Sequence, residues 1–266
     1  MTHRPPRSSL LRCALTLALC ALASPAARAW GSLLLIDPPP RQASFAAGPS
    51  VWILPAYAGS SRSRTWLVPG LDYESPGGFF ASTDSGLGWN LSRRADLQAG
   101  LRLWPVFGRR ASDAPPGIGG VPGRLALEGF VNVQLAPALL LQTGLLAGAG
   151  PRRDASRFEI GLTSGLPIGA DLLGIGIAAS WSNRAGARAD FGVTTEQAAA
   201  SRLAAFDAPA GWQDRSLTLS FEHRLAPHWR LDAQWIGARL IGAATRSPLL
   251  QSASQSGATL TLWHEF

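Results

Sequence analysis

Histidines are the strongest candidates for chemistry in this chain, and their spacing argues against a metal site. A zinc site needs several ligands that converge at short spacing, whereas His223, His228 and His264 are scattered along the carboxyl-terminal part. His223 and His264 fall on apolar faces of alternating segments, where anchoring at a membrane interface explains them better. Both cysteines, Cys13 and Cys20, lie near the amino terminus, which leaves no thiol for catalysis or metal binding in the remainder. We therefore expect neither a metal nor a cofactor.

Serine and glycine motifs give no better evidence for an enzyme. A lipase built on a barrel would need a serine, a histidine and an acid that point together. The segment 161–165 contains a serine, but at the wrong position for a nucleophile elbow. The segment 174–179 resembles a dinucleotide fingerprint, yet it lies inside a strand pattern where small inward residues of a narrow lumen explain it better. The sequence predicts a protein that is not an enzyme.

Charged residues on alternating segments form the most informative set. Their positions lie opposite the apolar faces, and both signs occur in equal numbers. The set consists of Arg102, Arg124, Glu128, Arg157, Glu159, Glu222, Arg224, Arg230, Asp232 and Glu265. In a membrane barrel these side chains would face the lumen. We interpret them as ion pairs that plug the lumen, and the alternative is a narrow solute pore lined by opposed charge.

The carboxyl-terminal segment indicates which element positions these charges. Residues 257–266 alternate strictly, with the period of a β-strand, so one face could meet lipid and the other a polar interior. A bare apolar strand at the end of a soluble protein would invite aggregation, and closing a barrel removes that free edge. We interpret one face of this strand as a barrel-assembly signal. Its residues are Leu260, Leu262, His264 and Phe266.

The amino-terminal segment predicts the compartment. Residues 1–29 combine a basic start, an apolar stretch and small residues before Trp30, which is the pattern of a secretory signal peptide. We expect cleavage between Ala29 and Trp30. The apolar stretch is too short to cross a bilayer as a helix, which disfavours a membrane anchor. Residues 30–46, which contain three consecutive prolines, are expected to form a periplasmic lead-in.

Composition favours a membrane partner over nucleic acid. The formal net charge of +7 includes the arginines of the leader, and no basic cluster exceeds two adjacent arginines. The chain contains ten tryptophans, a residue that gathers at membrane interfaces. No stretch beyond the leader could form a spanning helix, and a spanning chain without helices must form a closed barrel. We expect outer-membrane lipid as a partner and no nucleic acid.

The fold class that we predict is all-β, an antiparallel up-and-down transmembrane β-barrel over residues 47–266. A soluble β-sandwich would alternate as well, but the leader and the tryptophans favour the membrane form. The expected strands are 47–56, 64–73, 77–91, 96–107, 123–135, 138–149, 155–166, 170–183, 212–225, 228–240 and 255–266.

Loop lengths fix the predicted topology. Long connections at 108–122, 184–211 and 241–254 should face outward, and short turns should face the periplasm. This arrangement requires 77–91 to be split around Asp84, which gives twelve strands, whereas merging early segments would give ten. Residues 195–203 form the one helix-like stretch and lie in the long connection 184–211.

Several short motifs carry a resemblance to a known family. They are Pro55–Ser60, Gly86–Trp89, Phe191–Thr194, Gln197–Ser201, Ala205–Ala208 and Ser247–Pro248, together with the terminal Phe266. From about residue 47 to the end, the chain resembles the MltA-interacting protein (MipA) / OmpV family of outer-membrane proteins. The block Phe191–Thr194 is the most specific match. One departure is His264, where the family usually carries a tyrosine.

The resemblance implies a scaffold in the outer membrane of a Gram-negative bacterium. By this resemblance, the family's named member connects a lytic transglycosylase, which cleaves murein, to a penicillin-binding synthase. Both enzymes are therefore expected partners. A narrow solute pore and a surface adhesin that acts through the 184–211 loop are the alternatives. The sequence alone does not decide among these three functions or identify the partner.

Overall fold

The computed structural model describes residues 39–148 and 154–266, and these residues form one closed barrel of twelve antiparallel strands. The strands are β1 Ser44–Pro55, β2 Ser63–Glu74, β3 Phe79–Ser82, β4 Gly86–Asn90, β5 Leu97–Val106, β6 Arg124–Ala136, β7 Leu139–Ala147, β8 Ser156–Ile168, β9 Asp171–Ser182, β10 Gly211–Ala226, β11 Trp229–Leu240 and β12 Ser254–Glu265. The predicted fold class and strand number are confirmed. The expected signal peptide and most of the lead-in lie outside the described residues.

Each strand pairs with its neighbours in sequence, and β1 pairs with β12 to close the barrel. The closing register joins Ala47 to His264 and Ile53 to Ala258. Because β1 and β12 pair with each other, the backbone groups at this seam are hydrogen-bonded within the protein and are not left unpaired in the bilayer.

Side chains alternate between two environments along every long strand. Outward positions carry exposed apolar residues such as Leu67, which is 81% exposed, and Leu217. Inward positions carry buried polar residues such as Asn132 and Thr218. A protein that buries its polar side chains and exposes its leucines is adapted to lipid outside and a polar interior.

The third and fourth strands are unusually short. β3 and β4 form a small hairpin around the turn 83–85, which is the division that the loop arithmetic required. β3 pairs with β2 only from Asp72 to Glu74, near the periplasmic end. The hairpin therefore reaches only part of the way up the barrel wall.

The extracellular loops pack into a compact cap. Helix α1 spans Arg184–Phe191, with Asn183 as its N-cap residue. Helix α2 spans Thr195–Ser201, and its N-cap residue Thr194 forms a capping box with Gln197. A 3-10 helix spans Gly242–Arg246. The predicted helix at 195–203 is formed, whereas α1 and the 3-10 helix were not predicted. No helix in the described ranges is both long and apolar enough to cross a membrane.

The cap has its own apolar core. Phe191 and Leu240 are buried together with small alanines of α1 and the 3-10 helix, and Val193 packs with Ile118 and Leu249. The hydroxyl of Ser247 donates a hydrogen bond of 2.6 Å to the carbonyl of Phe191. The block Phe191–Thr194 thus serves as the centre of the cap.

Candidate functional site in the barrel lumen

The structure places the whole set of sequence-predicted charged residues on inward-facing strand positions. They fall into an extracellular group on β5, β6 and β8, and a periplasmic group on β10, β11 and β12. The first contains Arg102, Arg124, Glu128, Arg157 and Glu159, and the second contains Glu222, Arg224, Arg230, Asp232 and Glu265. Within the described residues, no ion pair joins one group to the other.

One well-enclosed pair in the lumen is Arg102 with Glu128, which face each other on paired positions of β5 and β6. The guanidinium donates two hydrogen bonds to the carboxylate, of 3.0 and 2.8 Å. It also lies 4.7 Å from the ring centre of Trp104. Glu128 is 6% exposed, and Gly144 makes room for it, since a Cβ there would lie 2.3 Å from Oε1. Such a two-pronged, desolvated pair fixes two strands to each other.

Arg157 of β8 contacts two acids, one on its own strand and one on β10. Its Nε lies 2.7 Å from Glu159, and its Nη2 lies 3.2 Å from Asp214 of β10. The hydroxyl of Ser180 donates a 2.5 Å hydrogen bond to Asp214. Asp214 was missed from sequence, although it shares the inward alternation of Ser216 and Thr218 on β10; the β9–β10 register shifts just before it, between Trp212 and Asp214.

The periplasmic group is held together by two arginines. Arg230 lies 3.2 Å from Asp232 and 3.5 Å from Glu265, and Arg224 lies 3.1 Å from Glu265. Glu222 is paired with Asp232 in the β10–β11 register. Ion pairs of this kind occupy the lumen at the end opposite the cap.

Two further acids of this region were missed from sequence. Asp72 and Glu74 lie on the inward face of β2, in register with Ala46 and Ser44. The alternation of Arg64, Trp66 and Val68 along the same strand was the available signal, but Pro69 and Gly70 obscured it.

Trp263 closes the lumen beside this cluster. Its side chain is fully buried, and its indole Nε1 donates a 2.9 Å hydrogen bond to Asp232. The ring reaches the inner surface of β2, because a Cβ on Gly70 would lie 3.1 Å from Cη2 of Trp263. A large ring with its polar atom satisfied is an efficient plug.

Uncharged inward side chains fill further parts of the lumen. Phe80 and Phe130 meet edge to face with ring centres 6.2 Å apart. Thr163 donates a 2.7 Å hydrogen bond to Gln142, and the hydroxyls of Ser50 and Thr261 lie 2.6 Å apart. Because these inward side chains are packed and hydrogen-bonded to one another, little room is left for a continuous water path.

Replacing Trp263 by phenylalanine tests this plug. The variant keeps an aromatic ring but leaves a buried oxygen of Asp232 without its donor, and we expect a loss of about 1–3 kcal/mol in the free energy of unfolding. The measurement is the urea midpoint of unfolding for the protein refolded in detergent. The matched control is Trp235→Phe on the outward face, which should leave the midpoint nearly unchanged. Equal shifts in both variants would contradict the assignment.

A small chamber of about 350 Å³ lies beneath the cap. Tyr57, Arg109, Arg124 and Arg157 line it, and the guanidinium of Arg109 lies 5.6 Å from the ring centre of Tyr57. Burial lowers the pKa of Arg109 and raises the pKa of Tyr57. Arg109 is 6% exposed and Tyr57 is 7% exposed, so the cap shields these side chains from bulk water.

The predicted assembly residues lie on the outward face of β12. The ring of His264 lies 4.8 Å from Trp229 and 4.6 Å from Phe266, and Phe266 stacks on Phe45 at 5.3 Å. These rings form an aromatic belt at the periplasmic end, as membrane barrels have at their interfaces. The role of Leu260, Leu262, His264 and Phe266 in assembly stays a prediction.

The remaining histidines do not form a site either. Nδ1 of His223 lies 2.7 Å from Asp171 on the outward face of β9 and β10, and His228 lies in the turn before β11. Within residues 39–148 and 154–266 there is no group of three histidine, cysteine or acidic residues that could hold a metal ion.

A closed antiparallel barrel with a lipid-facing outer surface, a packed polar lumen and long loops at one end defines an outer-membrane β-barrel. Residues 47–266 match the family described as MltA-interacting protein MipA, and the chain belongs to this family. The resemblance found from the motifs is thereby confirmed, as is the location in the outer membrane of Gram-negative bacteria. The family and the fold are not those of an enzyme family.

Solved structures with a similar fold are distant in sequence. An outer membrane channel from Pseudomonas putida F1 is 12% identical, with 86% of this chain and 97% of that chain covered and a TM-score of 0.43. The anion-selective porin from Comamonas acidovorans is 10% identical, with 85% and 99% covered and a TM-score of 0.33. Neisserial surface protein A is 8% identical, with 84% and 97% covered and a TM-score of 0.25. No curated protein matches the chain.

Proposed function

We propose that this protein is a non-conducting scaffold of the outer membrane that holds a lytic transglycosylase, and through it a penicillin-binding synthase, at its periplasmic face. The observation that carries the proposal is the packed lumen. A barrel whose interior is occupied by ion pairs, Trp263 and a layer of uncharged side chains acts through its surfaces. The description of the family names a protein that interacts with a murein enzyme, which supports this class of partner.

The periplasmic face offers one turn that suits a protein partner. Residues 91–96, between β4 and β5, form the longest periplasmic turn among the described residues. Leu91 is 68% exposed, and Arg93 donates a hydrogen bond to the carbonyl of Pro76, which fixes the turn against its neighbour. An exposed leucine beside arginines on a fixed turn is the composition expected of a docking patch.

Site-specific cross-linking in intact cells tests the scaffold. A photoreactive amino acid at Ser92 should trap a lytic transglycosylase, and the same group at Ala200 in the extracellular helix α2 should not. The charge reversal Arg93→Glu together with Leu91→Asp removes the cation and the apolar side chain of the patch. We expect it to reduce the trapped amount about tenfold, which corresponds to a loss of about 1.4 kcal/mol in binding free energy.

Two results would contradict the scaffold role. One is recovery of the same proteins from Ser92 and Ala200, and the other is recovery of no murein enzyme from Ser92 while the barrel is folded. Mass spectrometry of the trapped complexes distinguishes these outcomes.

A further inference from the structure

The barrel wall is incomplete on the extracellular side of the β3–β4 hairpin. β2 pairs with β3 only at Asp72–Glu74, and β4 pairs with β5 only from Leu87 to Asn90. Residues 63–70 of β2 and 104–106 of β5 therefore face each other without a strand between them. Pro69, which cannot donate to a ladder, lies on this free edge and accepts a 2.9 Å hydrogen bond from the hydroxyl of Thr83.

The extracellular segment 107–123 covers this gap with side chains rather than with a strand. The ring of Phe107 lies 6.3 Å from Trp52 and 6.2 Å from Trp66. The guanidinium of Arg110 lies 5.0 Å from the ring centre of Trp66, and Arg64 forms an ion pair with Asp113. Phe107 remains 59% exposed despite these neighbours. The cover is thus looser than the ladder elsewhere in the wall.

A cavity of about 570 Å³ lies within the gap, between the ends of β1 and β2 on one side and β5 and β6 on the other. Its walls include inward-facing residues such as Trp66 and Arg124. They also include Pro105, which lies on the same outward face of β5 as the lipid-facing Leu103. The cavity therefore lies where the bilayer and the extracellular end of the lumen meet. Its volume falls in the range of ligand pockets, about 300–1,000 Å³.

The charged residues that line this cavity are all arginines, and one of them, Arg64, is paired with Asp113, which lies outside the lining. Its lining contains Arg64, Arg109, Arg110 and Arg124, and no acidic residue. Nε of Arg124 is buried and has no hydrogen-bond partner among the described residues. Aromatic rings and prolines form the rest of the wall. Guanidinium groups match the geometry of phosphate, and an apolar wall beside them matches an acyl chain.

We propose that the gap between β2 and β5 is a lateral binding site for an outer-leaflet lipid whose head group is a phosphate monoester with net negative charge. The phosphate lies between Arg110 and Arg124, and an acyl chain lies against Trp66 and Phe107. The site sits at the opposite end of the barrel from the proposed docking turn, so it does not depend on the scaffold role.

Photoaffinity labelling of the full-length protein in phosphatidylcholine nanodiscs tests the site. The probe is phosphatidic acid with a diazirine on one acyl chain, and the reference probe is phosphatidylcholine with the same chain. We expect the phosphatidic acid probe to label residues 63–67 and 104–110 at least about fivefold more than the reference probe, which corresponds to about 1 kcal/mol of preference. Unlabelled phosphatidic acid should compete, and added phosphatidylcholine should not.

A matched pair of variants separates this site from general attraction of arginines to anionic lipid. Arg110→Gln with Arg124→Gln should abolish the enrichment. The control variant, Arg215→Gln with Arg239→Gln, also removes two arginines. These residues are register partners on the adjacent strands β10 and β11, and the control should be labelled to the same extent as the unmodified protein. Equal labelling by both probes, or labelling spread evenly over the lipid-facing surface of the unmodified protein, would overturn the proposal whether or not the variants fold.

Discussion

Replacing Gly48 by alanine is expected to prevent closure of the barrel. Gly48 lies on the inward face of β1 at the closing pair, and a Cβ there would lie only 1.7 Å from the backbone carbonyl oxygen of Leu262 on β12. Since a backbone atom cannot move aside as a side-chain tip can, the two strands must separate. We expect a cost greater than about 3 kcal/mol, the upper end for overpacked sites.

The measurement is the folded fraction of protein refolded in detergent, read as the heat-sensitive mobility shift on gels. The matched control is Gly129→Ala, another strand glycine, whose new Cβ would meet only Cδ2 of Leu101 at 3.7 Å. The control should fold like the parent. Normal folding of the Gly48 variant would show that the described closing pair is wrong.

Breaking the pair of Arg102 and Glu128 from either side is expected to destabilise the barrel strongly. Arg102→Gln leaves the carboxylate of Glu128, 6% exposed, without its bidentate partner. Removal of one member of a buried ion pair typically costs about 3–5 kcal/mol. The reverse change, Glu128→Gln, leaves the partly buried guanidinium of Arg102 beside Trp104 and Phe130 without its carboxylate, and it should also destabilise the barrel.

A double variant tests the reason for this loss. Arg102→Met with Glu128→Leu removes both charges, and it should recover most of the stability because nothing is left uncompensated. The control is Arg94→Gln in the periplasmic turn, where the ion pair with Asp96 is exposed and the urea midpoint should not change measurably. If the single and double variants unfold at the same midpoint, the pair is not a desolvated ion pair.

The strands and their faces were predictable because a membrane barrel has one simple rule. Period-two alternation places Leu217 outward and Glu222 inward irrespective of distant parts of the chain. The parity of the turns then required a break at Asp84, and the β3–β4 hairpin is found there. These features depend only on local sequence and on chain direction.

Features that depend on three-dimensional register were not predictable in the same way. The β9–β10 ladder shifts its register between Trp212 and Asp214, and alternation along a single strand does not reveal such a shift. The partners of Arg157 come from two different strands, and the sequence gives no distance between them. The individual residues of the lumen could thus be found from sequence, but their pairing could not.

Helix α1 and the packing of the cap were not predicted, for a different reason. Helix α1 is short and has a weak intrinsic preference, and it is stabilised by packing of Phe191 and Ala187 against Leu240 and Ala244. The gap between β2 and β5 was also hidden, because the lengths of β3 and β4 reveal it only when the pairing is known.

Single-channel recording of the purified protein in planar bilayers tests the packed lumen most directly. With Arg102, Arg230 and Trp263 in their ion pairs and hydrogen bonds across the interior, we expect no steady current above the leak of the bare bilayer. A steady, reproducible conductance from folded protein would contradict this structure of the lumen, and the scaffold proposal that rests on it.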